Sequence, residues 1–376
     1  TALHDVPNGE VWTREKIRDL REYIESYGMR WSVVESLPVV ESIKYAGPDR
    51  DEQIERYKES LRNLSAEGIH TICYNFMPVL DWARTDLNHP NPNGSTNLYF
   101  SFPQFAYFDI HILKREGAEA DWAAKGKEMG RDILKEVAEL KEKMTPEDDH
   151  NLVDTIIVKT QGFVNGNIKE GDERPVELFR QLLSLYKGIT KEQLRENMRY
   201  FLDAIMPTCE ECDMCVHPDD PPFPILGLPR IVTCDEDIKW FLNAVNNKHN
   251  GLTFCAGSLS AGAYNNVVEL AKKYADRTWF VHLRSCHIFP NGDFTEASHL
   301  GGRADLIELA RIFERTNPNL PMRVDHGMCM LGDENRGYNA GYSFLGRAFA
   351  MGQVQGILAT VDRELGIEYH QPGFFD

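Results

Sequence analysis

The sequence predicts an α/β fold, a (β/α)8 TIM barrel carrying a long helical insertion, and three observations lead there. First, short apolar runs alternate with amphipathic helical patterns over residues 1–76 and again from 214 onward, the rhythm of a parallel sheet with crossover helices. Second, four of those runs stop on a metal-ligand type of side chain. Met214-Cys215-Val216 ends on His217, Leu252-Thr253-Phe254 on Cys255, Trp279-Phe280-Val281 on His282 and Met322-Arg323-Val324 on Asp325. Each is followed within a few residues by Gly, Ser or a polar turn, which puts all four at carboxyl ends of strands, the rim where parallel α/β folds assemble their sites. Third, 376 residues could hold two domains by length alone, but α/β barrels routinely reach this size as one elaborated domain, and a single domain is expected over 1–376.

Taken in order, Thr1-Ala2-Leu3 reads as a strand tail and His4 to Gly9 as the loop after it. Thr13 is placed to cap a helix to about Tyr27, with Ile17, Leu20, Tyr23 and Ile24 on one face. Trp31-Ser32-Val33-Val34 is the next strand, a second helix covers about 51–66, and Thr71-Ile72-Cys73-Tyr74 is the third strand. After Met77 the rhythm breaks until Met214, far too long for a barrel loop, so an insertion is expected over about 77–212. Its first part, 81–95, is turn-rich, and helical patterns follow over about 118–143, 176–186 and 191–205. Beyond Met214, helices are expected at about 234–245, 263–274, 304–313 and 342–352. The strands begin near Thr1, Trp31, Thr71, Met214, Leu252, Trp279 and Met322. A (β/α)8 barrel needs one more, expected upstream of Thr1.

Composition narrows the function classes. With 58 acids against 41 bases the net charge is -17, which disfavours nucleic acid as a partner. No apolar run approaches the ~20 residues of a membrane span. An anionic small-molecule substrate would need local cations, and Arg284 and Arg323 each stand two residues from a proposed ligand. Eight cysteines scattered through ordinary enzyme sequence fit a reducing compartment, and no signal or transit peptide is visible, so a cytoplasmic protein is expected. A homo-oligomer remains open.

If a closed sheet gathers the strand ends, His217, Cys255, His282 and Asp325 bind one divalent cation. Singly, each has a plainer reading: two core histidines, a buried free cysteine and a capping aspartate. Cys209, Cys212 and Cys215 have the spacing of a zinc knuckle but straddle a helix end and a strand without a second ligand pair, so no metal is expected on them. Neither a Gly-x-Gly-x-x-Gly nor a Walker A sequence is present, and Gly257 to Gly262 is no Gly-x-Ser-x-Gly elbow. His326 precedes Gly327, where the chain turns, and reads either as a second ring reaching the rim or as a surface histidine. Tyr342, just before the last helix, reads as core packing or as an inward projection.

Longer runs carry a resemblance. Thr1-Ala2-Leu3-His4 with Pro7 to Trp12, Trp31 to Ser36, and Cys73-Tyr74-Asn75-Phe76-Met77-Pro78-Val79-Leu80-Asp81-Trp82 resemble the mannonate dehydratase family. So do His217 to Pro222 with Gly227-Leu228-Pro229-Arg230, His282-Leu283-Arg284-Ser285, and Asp325-His326-Gly327 with Gly341-Tyr342-Ser343. The resemblance implies a metal-dependent barrel that dehydrates D-mannonate to 2-keto-3-deoxy-D-gluconate in hexuronate (glucuronate) breakdown, using Mn(II) or Fe(II). It implies the same four ligands, His217, Cys255, His282 and Asp325. It further implies His326 as base at C2 and Tyr342 as acid at the C3 hydroxyl, with the two roles exchangeable, and Arg284 and Arg323 on the carboxylate. Family members carry an Arg-Trp strand before the match to Thr1, which this chain lacks. Two competing readings are a metal-dependent sugar isomerase on a related barrel and a non-catalytic sugar-acid binding protein.

Overall fold

The computed structural model describes residues 1–160, 168 and 171–369. In chain order its strands are β1 (Val33–Glu35), β2 (Thr71–Tyr74), β3 (Asp86–Pro90), β4 (Thr96–Phe100), β5 (Asp213–Val216), β6 (Asn250–Cys255), β7 (Thr278–His282), β8 (Cys286–Ile288), β9 (Phe294–Glu296) and β10 (Met322–Arg323). Six of them, in the order β1-β2-β5-β6-β7-β10, form one sheet with every pair parallel. All six are apolar runs expected from sequence. The sheet is curled enough for the Arg323 side chain on β10 to form an ion pair with Glu35 on β1. The expected strand tail at Thr1 is reduced to a single rung: Glu35 N donates to Thr1 O at 3.0 Å and Thr1 N to Val33 O at 3.3 Å, the bonding of a parallel pair.

Period-two alternation splits each strand between two environments. Val34, Ile72, Met214, Leu252 and Val281 pack outward on the helices in one large apolar cluster. Val33, Cys73, Cys215 and Phe280 form a small cluster of their own on the opposite face, and Thr253 joins them by a hydroxyl contact to Cys73 Sγ at 3.1 Å. That inner layer is the floor under the site.

Helices cover the outside. Thr13 caps Arg14–Glu25 by accepting from Lys16 N, and Lys191–Ile205 opens with a capping box between Thr190 and Gln193. The pattern at 118–143 is two helices, Ala118–Met129 and Ile133–Lys141, because Gly130 turns left-handed (φ 66°) and Asp132 caps the second. The last helix, Phe344–Leu365, runs well past the expected end at 352 and stops at Gly366, φ 72°. Its alanine, leucine and methionine content outweighs the two glycines inside it, Gly352, where the helix was expected to end, and Gly356.

The turn-rich 81–95 segment was expected to be loop, but β3 and β4 form an antiparallel hairpin there, closed at Asn91 and Ser95. That hairpin joins β9 and β8 in a four-stranded sheet ordered β3-β4-β9-β8, which the sequence reading missed. Stacked rings hold it: Phe100 lies 5.2 Å from Phe294 and 5.1 Å from Phe105, centroid to centroid. Part of the expected insertion, 161–167 and 169–170, lies outside the described residues. Among the described residues no helix is long and apolar enough to cross a membrane.

Candidate metal centre and active site

Two residues beyond the inner layer, on the same face of each strand, stand Glu35, Asn75, His217, Cys255, His282 and Asp325. Register explains the convergence, since Cys255 pairs directly with His282 and Cys73 with Cys215. Donor atoms of His217, Cys255 and His282 all lie within 4.8 Å of one another. Asp325 Oδ2 is 3.5 Å from His282 Nδ1. Asp325 takes a left-handed backbone (φ 58°), a conformation that favours Asp over most side chains and that bends the chain inward at the end of β10.

These residues fit a divalent ion. His217 Nδ1 donates to the Pro218 carbonyl at 2.7 Å, which leaves the lone pair on Nε2, the arrangement that orients metal-binding histidines. Both ring nitrogens of His282 are buried without a well-directed hydrogen bond, although Glu35 Oε1 stands 3.1 Å away. Burial raises the pKa of the Cys255 thiol, but Arg284, His217 and His282 outweigh it and bring the pKa well below the ordinary value, which favours the thiolate. Two imidazoles, a thiolate and a carboxylate make a borderline-soft donor set.

Above the cluster opens a cavity of about 1080 Å³, roomy enough for a small polar substrate. His326 and Tyr342 line it with their ring centroids 5.2 Å apart, and Trp82 packs on the His326 ring at 5.3 Å. His326 Nδ1 lies 3.2 Å from Glu296 Oε1 and 3.1 Å from Arg284 Nη1. Burial, then Asp325, push the Tyr342 phenol far above its usual range, which keeps it protonated. Asp81, also on the wall, is pushed up to about 6, chiefly by burial.

Behind this wall runs a buried ionic network. Arg84 binds Asp220 at 2.7 Å and Glu296 at 2.5 Å, and Arg284 binds the same two acids at 3.0 and 2.5 Å. Burial acts to raise the Glu296 pKa, but Arg284, Arg84 and His326 bring it down to about 2. Gly257 makes room for Arg284: a Cβ there would lie 2.2 Å from Nε.

Six of the eight residues singled out from sequence line one cavity, His217, Arg284, Arg323, Asp325, His326 and Tyr342, and Cys255 and His282 cluster with His217 beneath it. His326 is 5% exposed, so it is no surface histidine. Sequence reading missed Glu35, Arg84, Asp220 and Glu296. Glu35 carried a usable signal, the same strand-end position as the ligands. Cys209 and Cys212 sit in the outer helical core, whereas Cys215 faces inward beside Cys73.

Ligand side chains drawn from the ends of parallel strands, over a cavity with its own proton donors and acceptors, place the chain among α/β enzymes built around a metal-type site. The D-mannonate dehydratase (UxuA) family profile matches residues 1–368, and the chain belongs to that family. It is 41% identical over 380 residues to a mannonate dehydratase of Marinomonas sp. (strain MWYL1), covering 98% of this chain and 92% of that protein. Against a mannonate dehydratase of Chromohalobacter salexigens the identity is 39% over 378 residues, covering 98% and 93%. The crystal structure of mannonate dehydratase from Streptococcus suis serotype 2 aligns with a TM-score of 0.75 at 31% identity, covering 100% of this chain and 90% of that one.

Proposed function

We propose that this chain is a hydro-lyase that dehydrates D-mannonate to 2-keto-3-deoxy-D-gluconate in hexuronate breakdown. The observation that carries the reading is the His217–Cys255–His282 cluster with Asp325, set directly below a cavity whose walls hold a separate base and acid. His217, Cys255, His282 and Asp325 would hold Mn(II) or Fe(II), which supplies Lewis-acid polarisation of substrate oxygens and so acidifies the proton on C2.

His326 is the base. With Nδ1–H given to ionised Glu296, its Nε2 lone pair is free to take the C2 proton. The C2–H electron pair becomes a C2–C3 double bond as the C3–O bond breaks. Tyr342, held protonated by burial, donates to the departing hydroxyl, which leaves as water. The resulting enol tautomerises to the 2-keto acid. Arg284 and Arg323 set a positive field beside the substrate carboxylate.

The same reading takes 1–376 as one domain whose parallel strands belong to an eight-stranded barrel, with 77–212 inserted. The layered interior and the Glu35–Arg323 contact support it. Eight free cysteines support a cytoplasmic setting. His326→Asn tests the mechanism: the variant should lose solvent exchange of the C2 proton, and exchange at the wild-type rate would remove His326 as base.

A further inference from the structure

Three guanidiniums line the cavity, those of Arg284, Arg323 and Arg347. Two are already engaged. Arg284 has Glu296 on Nη1 at 2.5 Å, Asp220 on Nη2 at 3.0 Å and Asp325 at 2.9 Å from Nε. Arg323 has Glu35 on Nη1 and Asp325 Oδ1 at 3.0 Å on Nη2. A further carboxylate on the Nη atoms of either fork would displace one of these acids and leave a buried ion unpaired.

Arg347 differs. It stands in the first turn of the helix Phe344–Leu365, and among the described residues no Asp or Glu forms an ion pair with it. Its Nε, like those of Arg284 and Arg323, is buried without a hydrogen bond, so the missing acid is what sets it apart. The guanidinium lies 5.5 Å from the centroid of the Tyr342 ring, with Arg323 at 6.0 Å from the same ring. Its stem is closely fitted, since a Cβ on Gly327 would come within 3.0 Å of Arg347 Cγ. A half-buried guanidinium that lacks an acid and shares a ring with another cation loses hydration without regaining it from the protein. An anion in the cavity restores that balance, and the planar fork fits a carboxylate in bidentate fashion.

We propose that Arg347 is the direct ion-pair partner of the sugar-acid carboxylate, and that it makes the cavity select acids over neutral sugars. The assignment rests on the dehydratase reading above and refines it: Arg284 and Arg323 supply field, and Arg347 supplies the contact. A neutral polyol of the same length leaves this guanidinium unpaired and is disfavoured on that account.

The test uses the Mn(II)-loaded protein, D-mannonate as substrate and D-mannonamide, its uncharged amide, as competitive inhibitor. Arg347→Met should raise KM for D-mannonate roughly 30- to 5000-fold, the span for losing one partner of a desolvated charge pair, with inhibition by the amide changed less than about threefold. Arg347→Lys, which keeps charge but not the fork, should fall between. Bound metal and the unfolding midpoint, measured on each variant, establish that it is folded. A KM within about threefold of wild type in Arg347→Met, or equal weakening of acid and amide, overturns the proposal. If only Arg347→Lys folds, unchanged KM in that variant overturns it equally. A wild-type protein inert toward D-mannonate would remove the dehydratase reading and this assignment with it, whereas an active wild type with an indifferent Arg347→Met removes this assignment alone.

Discussion

Gly257→Ala places one methyl group against the most constrained side chain in the site. Its Cβ would lie 2.2 Å from Arg284 Nε, 2.6 Å from Cζ and 2.7 Å from Cγ, where ordinary contact begins at 3.4 Å. Arg284 would have to retreat by about 1 Å, yet its far end is pinned at 3.0 Å or less by Asp220, Glu296 and Asp325. Overpacking alone costs about 1–3 kcal/mol. Stretching buried ion pairs adds part of the 3–5 kcal/mol that breaking one requires. The expected loss is about 2–4 kcal/mol in urea unfolding of the metal-free protein, with turnover down about 100-fold because the guanidinium also holds Glu296, the acid beside His326. Gly352→Ala is the control. It lies in the last helix with nothing within 4 Å of its added methyl, so it should gain about 0.5–1 kcal/mol. Stability within about 0.5 kcal/mol of wild type and turnover within about threefold in Gly257→Ala would refute the picture of a clamped Arg284.

Two further outcomes are expected. Burial, then Asp362, push the Glu314 carboxyl up from 4.5 to about 7. A raised folded pKa means stability from this pair is full below 4.5 and is lost as pH rises through 7. Glu314→Gln should therefore stabilise by about 1–2 kcal/mol at pH 8 and little at pH 4.5; equal gains at both would contradict the linkage. Cys255→Ser should weaken Zn(II) binding more than Mn(II) binding in competition titrations, because thiolate favours the softer ion. Unchanged affinity for both ions would take Cys255 out of the metal set.

Much of this site was legible because a strand end is a local feature. His217, Cys255, His282 and Asp325 each follow an apolar run and precede a turn, and the parallel register of the strands does the rest. Glu35 follows the same rule on Val33–Val34 and was overlooked only because an acid after a strand is common. Arg84, Asp220 and Glu296 were not legible at all. Arg84 and Glu296 are 212 residues apart, joined through the four-stranded antiparallel sheet, and no periodicity in either segment points to the other. The β8 and β9 strands are three residues each, too short for alternation to register. Arg347 was hidden for a different reason: the last helix was expected to be short, and a guanidinium in its first turn looks like any solvated charge until the cavity is seen.

The reaction itself is tested most directly by a single incubation of the Mn(II)-reconstituted protein with D-mannonate, with products resolved by mass and by reaction for 2-keto-3-deoxy acids. A product lighter by one water, 2-keto-3-deoxy-D-gluconate, is expected, formed only with the divalent ion present. An isomer of unchanged mass would make the chain a sugar isomerase, and saturable binding without any turnover would make it a binding protein; either result contradicts the dehydratase reading.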